Sequence, residues 1–165
     1  MIGRLVVGGG GRAILPGQGA PGSPAEVVLE QDHCIGPDHL DIARWTATVF
    51  FPLVMVSSTG TLAIDDAEAF AAHLEELRDT AGRGRGMAGF RTRITSEITP
   101  AENIAIVGSY RDHVDAAGDV ITSSSITWSL IRSGGAWKIN QIHFNDARQD
   151  PSVVSDICRA KGERE

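Results

Sequence analysis

Four long β-prone segments follow one another between residues 90 and 145, with only turns to connect them. The segments are Phe90–Thr99, Asn103–Asp112, Val120–Arg132 and Ala136–Asn145. Strands joined by such short turns pair antiparallel, because a parallel pair needs a crossover connection of about a dozen residues or more. The second half of the chain therefore predicts an antiparallel meander, and a sheet of parallel strands is not expected.

The last of these segments changes its alternation part of the way along. Trp137 and Ile139 share one parity, whereas Ile142 takes the other. A β-bulge, in which one strand carries an extra residue, produces such a switch. We expect a bulge near Gln141, and the inward direction that we assign to His143 depends on it.

Two helices and a hairpin are predicted ahead of the meander. Asp38 caps a first helix that runs to about Phe50 and stops before Pro52, and Asp65 with Glu68 forms a capping box for a second helix. The hairpin between them pairs Leu53–Ser57 with Thr61–Ile64 around Gly60. This order of elements predicts the α+β class, with helices packed on the concave face of a bent antiparallel sheet.

Glycine and aromatic residues are divided unevenly along the chain. Nine of the 19 glycines fall in the first 36 positions, whereas every aromatic residue lies at or beyond Trp45. A segment without aromatic residues buries little apolar surface to offset the entropy lost on ordering. We therefore expect a flexible arm over residues 1–36, one domain over residues 37–148 and a C-terminal tail over residues 149–165.

Charge and hydropathy exclude two classes of partner. The chain has 15 Lys and Arg against 21 Asp and Glu, and a net charge of −6 disfavours both nucleic acid and anionic lipid. No apolar run approaches the roughly 20 residues of a membrane span, and the N-terminus lacks a secretory apolar stretch. We expect a cytoplasmic protein with no nucleic-acid or membrane partner, in which Cys34 and Cys158 are reduced thiols.

Two patterns that suggest a metal or a cofactor do not complete a motif. Residues 33–41 contain two histidines, one cysteine and two aspartates, but their spacing matches no zinc template. Four glycines at positions 8–11 follow a short apolar run, but no helix is predicted after them, as a nucleotide-binding loop requires. We expect neither a metal nor a cofactor.

Several motifs together resemble a known family. They are Phe50-Phe51-Pro52 before the Gly60 hairpin, the helix over Ala67–Arg78, and the run Ser129–Ile139 followed by His143-Phe144. Over residues 37–148 the chain resembles the nuclear transport factor 2-like superfamily, which includes ketosteroid isomerase and SnoaL-like polyketide cyclases. The resemblance implies a cone-shaped cystatin-like roll with a pocket between sheet and helices, and a homodimer formed through the outer face of the sheet.

The catalytic residues of ketosteroid isomerases do not carry over. Ser57 or Ser58 stands where the family has its carboxylate base, and Ile126 or Thr127 stands where it has the neutral acid. The only tyrosine of the chain, Tyr110, is not on the first helix, where the family places its tyrosine. Isomerase chemistry of that kind is therefore not predicted.

The expected pocket is lined by inward residues of the long strands and the first helix. We assign Trp45, Tyr110, Trp128 and Gln141 to ligand binding and His143 to general-base catalysis. The predicted function is binding of a small apolar or aromatic metabolite, with isomerase, cyclase or dehydratase chemistry left open. In the alternative, Tyr110 and Trp128 only fill the core and His143 is a core or interface residue.

That alternative makes the protein a non-catalytic dimerisation or protein-interaction module of the same fold. A cavity of roughly a few hundred Å³ that Tyr110 or His143 reaches would favour ligand binding, whereas a filled interior would favour the module. For the homodimer we expect an uncovered face of small and polar residues. Its members are Thr95, Val107, Arg111, Ser123, Ser125, Thr127 and Ser129.

Overall fold

The structure is a computed structural model that describes residues 22–82 and 86–145. Its helices are α1 (Pro24–Glu30), α2 (Ile42–Ala47) and α3 (Ala67–Leu77), with a 3₁₀ turn at Gln31–His33 and a π-helical turn at Arg78–Gly82. Its strands are β1 (Ile35–Gly36), β2 (His39–Leu40), β3 (Val49–Ser57), β4 (Gly60–Ile64), β5 (Gly89–Ala101), β6 (Ile104–Val114), β7 (Val120–Ser133) and β8 (Ala136–Phe144). The expectations for residues 1–21, for the tail and for Cys158 lie outside the described residues.

Six strands form one sheet in the order β4-β3-β8-β7-β6-β5, and β1 and β2 form a separate two-stranded ribbon. The predicted hairpin and the four-stranded meander are confirmed, and so is the α+β class. The expectation of a wholly antiparallel sheet is wrong, because β8 pairs with β3 in parallel. The whole chain between them serves as the long crossover that a parallel pair requires.

The bulge in β8 lies where the alternation of the sequence predicts it. Ser129 pairs with Gln141 but Leu130 pairs with Ile139, so Asn140 is the extra residue. The bulge keeps apolar residues on the same side of the sheet, since Ile139 and Ile142 are both buried. It therefore turns Gln141 away from the core.

The two faces of the sheet can be followed along the register. One row pairs Val107 with Trp128 and Trp128 with Ile142, and all three are buried beneath the helices. We call this side the inner face. The neighbouring row pairs Thr127 with His143 and lies on the opposite side, the outer face, because successive residues of a strand point to opposite faces.

The expected composition of the outer face is wrong at two positions. Val107 is fully buried and Arg111 is 5% exposed, and both belong to the inner face. The error arises because both parities of β6 carry aliphatic residues, so periodicity alone does not say which parity faces the helices. Ser125, Thr127 and Ser129 do lie on the outer face.

The first predicted helix is too long at both ends. α2 begins after Asp41, whose carboxylate accepts a hydrogen bond from Arg44 N, and the chain enters β3 at Val49. Pro52 therefore lies inside a strand. It falls where the register between β3 and β8 shifts, so its missing N–H interrupts the ladder at an irregularity. The cap of α3 is Asp66 and not Asp65, since Asp66 accepts the hydrogen bond from Ala69 N.

The expected flexible arm is wrong for residues 24–36, which form part of the folded domain. Ser23 caps α1, and Ala25 and Val28 are fully buried against the sheet. A carboxylate oxygen of Glu97 on β5 accepts a hydrogen bond from Ala25 N at 2.8 Å, at the helix end that favours negative charge.

All three helices share one hydrophobic core with the inner face. Val28 of α1, Trp45 of α2 and Phe70 of α3 belong to the same buried cluster as Leu53 and Trp128 of the sheet.

In the turn between β7 and β8, Gly134 and Gly135 both have positive φ, as a two-residue hairpin of type I′ requires. Within the described residues, no helix is long and apolar enough to cross a membrane.

Candidate ligand-binding cavity

A cavity of about 80 Å³ lies between α2, α3 and the inner face of the sheet. Its lining is mainly aliphatic and aromatic, and the polar residues that line it are Gln31, His73, Arg111 and His113. The aromatic residues of the lining are Trp45, Phe70, Phe90, Trp128 and Phe144. An apolar enclosure with a few placed polar groups is the usual form of a small-molecule site.

The aromatic rings are held by one another. The Trp45 ring meets Phe70 at a centroid distance of 6.4 Å and an interplanar angle of 85°, and it meets Phe90 at 5.9 Å and 86°. Such edge-to-face pairs are favourable because the positive ring edge faces the negative ring face. The rings therefore form a preorganised wall, with one residue supplied by each of α2, α3 and β5.

Arg111 brings a guanidinium group into this apolar wall. The position follows from the register, because Arg111 has the same parity on β6 as the buried Val107. The Cζ atom lies 4.7 Å from the centroid of the Phe90 ring and 4.6 Å from that of the Trp128 ring. Cation–π attraction of this kind strengthens when the cation is desolvated. The two rings hold the guanidinium at the end of the cavity near α1.

Hydrogen bonds fix two of the three guanidinium nitrogens. Nε donates to Thr92 Oγ1 at 2.9 Å and Nη1 donates to Gln31 Oε1 at 3.2 Å. Nη2 is buried and donates to no acceptor among the described residues, although Asp32 Oδ1 lies 3.5 Å away. The Asp32 carboxylate already accepts from Thr92 N and from Thr92 Oγ1, each at 2.6 Å.

The charge of Arg111 is maintained despite its burial. Desolvation lowers the pKa of the guanidinium to about 10, and the nearby Asp32 carboxylate opposes that shift. Because a pKa of about 10 is well above neutrality, Arg111 is cationic at neutral pH. The cavity thus has a positive pole at one end.

Only two of the five residues assigned to the site from the sequence line the cavity. Trp45 and Trp128 do so and are 5% and 1% exposed. Tyr110 lies on the outer face, is 44% exposed, and packs under the Arg93 guanidinium at 5.6 Å. Gln141 and His143 also lie on the outer face, paired with Ser129 and Thr127. The inward direction expected for these three residues is wrong.

Sequence reasoning missed all of the polar lining residues, as well as apolar ones such as Phe70 and Phe90. Arg111 and His113 stand on a strand whose two parities both carry aliphatic residues, and Gln31 belongs to the segment that was expected to be an arm. An arginine in an alternating strand normally marks the solvent side. Ser109 lies between Val107 and Arg111 on the same parity of β6. It accepts the Trp128 Nε1 hydrogen bond at 2.7 Å, so this parity faces the core.

The thiol of Cys34 is held away from solvent. Cys34 is fully buried, and burial raises the pKa of its thiol to about 11, so the nucleophilic thiolate is scarce at neutral pH. Among the described residues, no three His, Cys, Asp or Glu side chains come together as a metal site. A second, wider groove of about 510 Å³ lies at the surface beside the β1–β2 ribbon.

The volume of the cavity lies between those expected for a ligand-binding domain and for a module with a filled interior. A volume of about 80 Å³ is smaller than the roughly 300 Å³ or more of a drug-sized site, and neither Tyr110 nor His143 reaches it. The interior is not filled either. Such a volume accommodates a molecule of a few heavy atoms without rearrangement of the walls.

Comparison with solved structures identifies proteins of similar fold. No family model and no curated protein matches the chain. An NTF-2-like protein of unknown function from Shewanella oneidensis superposes with a TM-score of 0.57 at 14% identity, covering 74% of this chain and 95% of that one. A cystatin-like protein of unknown function from Nostoc punctiforme gives 0.56 at 16% identity, covering 74% and 89%.

A ketosteroid isomerase-like protein from Erwinia carotovora atroseptica is also similar in structure. It superposes with a TM-score of 0.53 at 15% identity and covers 72% of this chain and 89% of that one. Identities this low establish a common fold and no more. The protein therefore has the cystatin-like α+β fold of nuclear transport factor 2-like proteins, as the resemblance in its sequence implies.

Proposed function

We propose that the protein binds a small apolar or aromatic molecule in the cavity between the helices and the inner face. The observation that carries this proposal is the lining: a wall of aromatic and aliphatic side chains with Gln31, Arg111 and His113 among them. Few polar groups in an apolar enclosure fix the orientation of a ligand while apolar contact supplies affinity.

The energetics of an empty cavity support the same proposal. Residual volume costs about 24 cal/mol per Å³, so a cavity of about 80 Å³ that stays empty costs about 2 kcal/mol. A larger side chain such as Phe at Leu62 or Leu74, both of which line the cavity, would remove part of that cost. Binding of a ligand accounts for a space that packing alone has no reason to keep.

Any acid–base chemistry in this cavity would use different residues from those first assigned. His73 of α3 and His113 of β6 line the cavity, whereas His143 lies on the outer face. A general base must come within hydrogen-bond reach of the proton that it removes. For an isomerase, cyclase or dehydratase reaction, His73 and His113 are therefore the candidate bases.

A cavity-filling variant tests ligand binding directly. Leu74→Phe adds volume on the cavity side of α3, so we expect a panel of apolar and aromatic probes of a few heavy atoms, including isobutanol and pyrrole, to bind the native chain and to bind this variant at least tenfold more weakly. Saturation-transfer NMR with the full chain measures this. Leu130→Phe is the matched control, because Leu130 is fully buried but does not line the cavity. Leu130→Phe has no cavity to fill and should lose about 1–3 kcal/mol of stability by overpacking, whereas Leu74→Phe should lose less because its ring enters the cavity.

Two results would contradict the binding proposal. One is that no probe in the panel binds the native chain, and the other is that Leu74→Phe binds the probes as well as Leu130→Phe does. Either result would favour the alternative function, a non-catalytic dimerisation or interaction module of the same fold.

We also propose that the protein forms a homodimer through the outer face. Three large apolar residues on β5 and β6 are exposed there: Ile98 by 55%, Ile104 by 40% and Tyr110 by 44%. Ile98 pairs with Ile106 across the two strands, and Ile104 is the next residue of the same parity on β6, so the three isoleucines form one apolar cluster. A patch of this kind can meet its own copy about a two-fold axis.

The dimer proposal predicts a change of mass in solution. At tens of micromolar the native chain should have the mass of a dimer by light scattering, and Ile98→Glu should shift it to a monomer because the charge would be buried without a partner. Ala117→Glu, in the exposed β6–β7 turn, should leave the dimer intact. A monomeric native chain, or a dimer that Ile98→Glu does not disturb, would remove this proposal.

A further inference from the structure

We propose that the ligand of the cavity is a small monocarboxylate, whose apolar body packs against the aromatic wall and whose carboxylate accepts hydrogen bonds from Arg111. The inference rests on the proposed function and names the ligand class of the same site. It follows from the charge of the lining, from the free N–H capacity of Arg111 and from the size of the cavity.

The cavity lining includes one permanent charge, the guanidinium of Arg111. Among the described residues, no Asp or Glu lines the cavity. The chain as a whole is acidic, with 21 carboxylates against 15 Lys and Arg. A buried cation in a lining without carboxylates produces a local positive potential that favours an anion over a cation. Low-dielectric aromatic walls strengthen that preference.

The nearest carboxylate is already engaged. Asp32 forms an ion pair with Arg111, its Oδ1 lying 3.5 Å from Nη2 but outside hydrogen-bond geometry, and both Asp32 oxygens accept hydrogen bonds from Thr92. Among the described residues, the protein thus supplies Arg111 with acceptors at Nε and Nη1 and with none at Nη2. A buried donor without an acceptor is costly, and a carboxylate satisfies it.

The rings around Arg111 set the direction from which a ligand binds. Phe90 and Trp128 pack against the guanidinium at 4.7 and 4.6 Å, so its π-face is covered and its N–H edge is the part that remains for polar partners. A planar carboxylate meets a guanidinium edge in the same plane and can take two N–H groups at once.

The size of the cavity limits the apolar body of the acid. An engineered cavity of about 150 Å³ is known to hold benzene, and the volume here is about 80 Å³. Short branched acids therefore fit the space better than monocyclic aromatic acids. Isobutyrate is a suitable probe of the first kind and benzoate of the second.

Matched acids and amides test the inference on the native full chain. By calorimetry or ligand-observed NMR at pH 7, we expect isobutyrate to bind at least tenfold more tightly than isobutyramide, because the two differ mainly in charge. Benzoate should likewise bind more tightly than benzamide, and it should bind more weakly than isobutyrate. Acids and amides that bind equally would overturn the carboxylate inference and leave the proposed function standing.

Variants then assign the preference to Arg111. Arg111→Met should lower isobutyrate affinity at least tenfold and leave isobutyramide affinity within about twofold. Arg132→Met is the matched control, since it removes the same charge from the exposed side chain that packs on Trp137. Equal loss in both variants, or loss in neither, would contradict the assignment.

A second variant keeps the inference testable if Arg111→Met does not fold. Asp32→Asn removes the negative charge beside Arg111 and leaves the guanidinium in place, so isobutyrate should bind severalfold more tightly. Unchanged or weaker binding of isobutyrate would count against the inference. If neither acid nor amide binds and the panel of apolar probes is also negative, it is the proposed function that fails.

Discussion

A chain that begins at residue 37 should show no cooperative unfolding transition, because the first 36 residues include an integral layer of the core. The deletion removes α1 with Ala25 and Val28, and with it the buried Cys34 and Ile35. Burial of one valine- or isoleucine-sized side chain contributes about 1.5–3 kcal/mol, and a domain of this size has about 5–15 kcal/mol of net stability. Circular dichroism during urea denaturation measures the transition.

A pair of matched substitutions in the full chain isolates the contribution of α1. Val28→Asp places a charge where the side chain is fully buried, and it should lower the free energy of unfolding by about 4 kcal/mol or more. Val120→Asp makes the same change at a residue that is 49% exposed and should cost less than about 1 kcal/mol. Similar losses at the two positions, or a stably folded chain from residue 37, would show that α1 does not stabilise the domain.

Trp128→Ala should have the largest effect of any single truncation in the sheet. Trp128 is 1% exposed, donates from Nε1 to Ser109 Oγ at 2.7 Å, and packs against the Arg111 guanidinium. Truncation of a buried tryptophan costs about 3–5 kcal/mol, through lost contact and the cavity that remains. The free energy of unfolding by urea, measured on the full chain, gives the magnitude.

Two further variants separate the contribution of the buried ring from that of the Nε1 hydrogen bond. Trp137→Ala removes the same ring from a half-buried position on β8 and should cost clearly less. Trp128→Phe retains a ring but leaves the Ser109 hydroxyl without its donor, so about 1–3 kcal/mol is expected. Because Trp128 lines the cavity, indole should raise the unfolding midpoint of Trp128→Ala more than that of Trp137→Ala. Equal losses at the two tryptophans would show that Trp128 is not central to the core.

Local patterns predicted the meander, the β3–β4 hairpin, α3 and the bulge in β8. Each depends on residues close together in the chain, such as the change of parity between Ile139 and Ile142 or the glycine pair at residues 134 and 135. The packing of α1 against the sheet was not predicted, because its buried residues are small and their burial depends on side chains of the distant sheet.

The candidate site could be predicted only in part. Trp45 and Trp128 were identified, since large aromatic residues of a sheet domain are buried somewhere in its interior. Arg111 was assigned to the outer face and Tyr110 to the inner face, because alternation tells which residues share a face but not which face the helices cover. The faces assigned to Arg111 and Tyr110 on β6 were exchanged for this reason.

The sequence by itself determined the class of fold, the order of the strands along the chain and, within a single strand, the residues that share a face. Only the tertiary structure decided that β8 returns beside β3, that α1 closes the inner face, and that Arg111 is the cation held within it. The physical reason is that periodicity and turn chemistry act over a few residues. Which face is buried, by contrast, depends on which distant segments come into contact, and on whether their side chains pack together and their charges are paired.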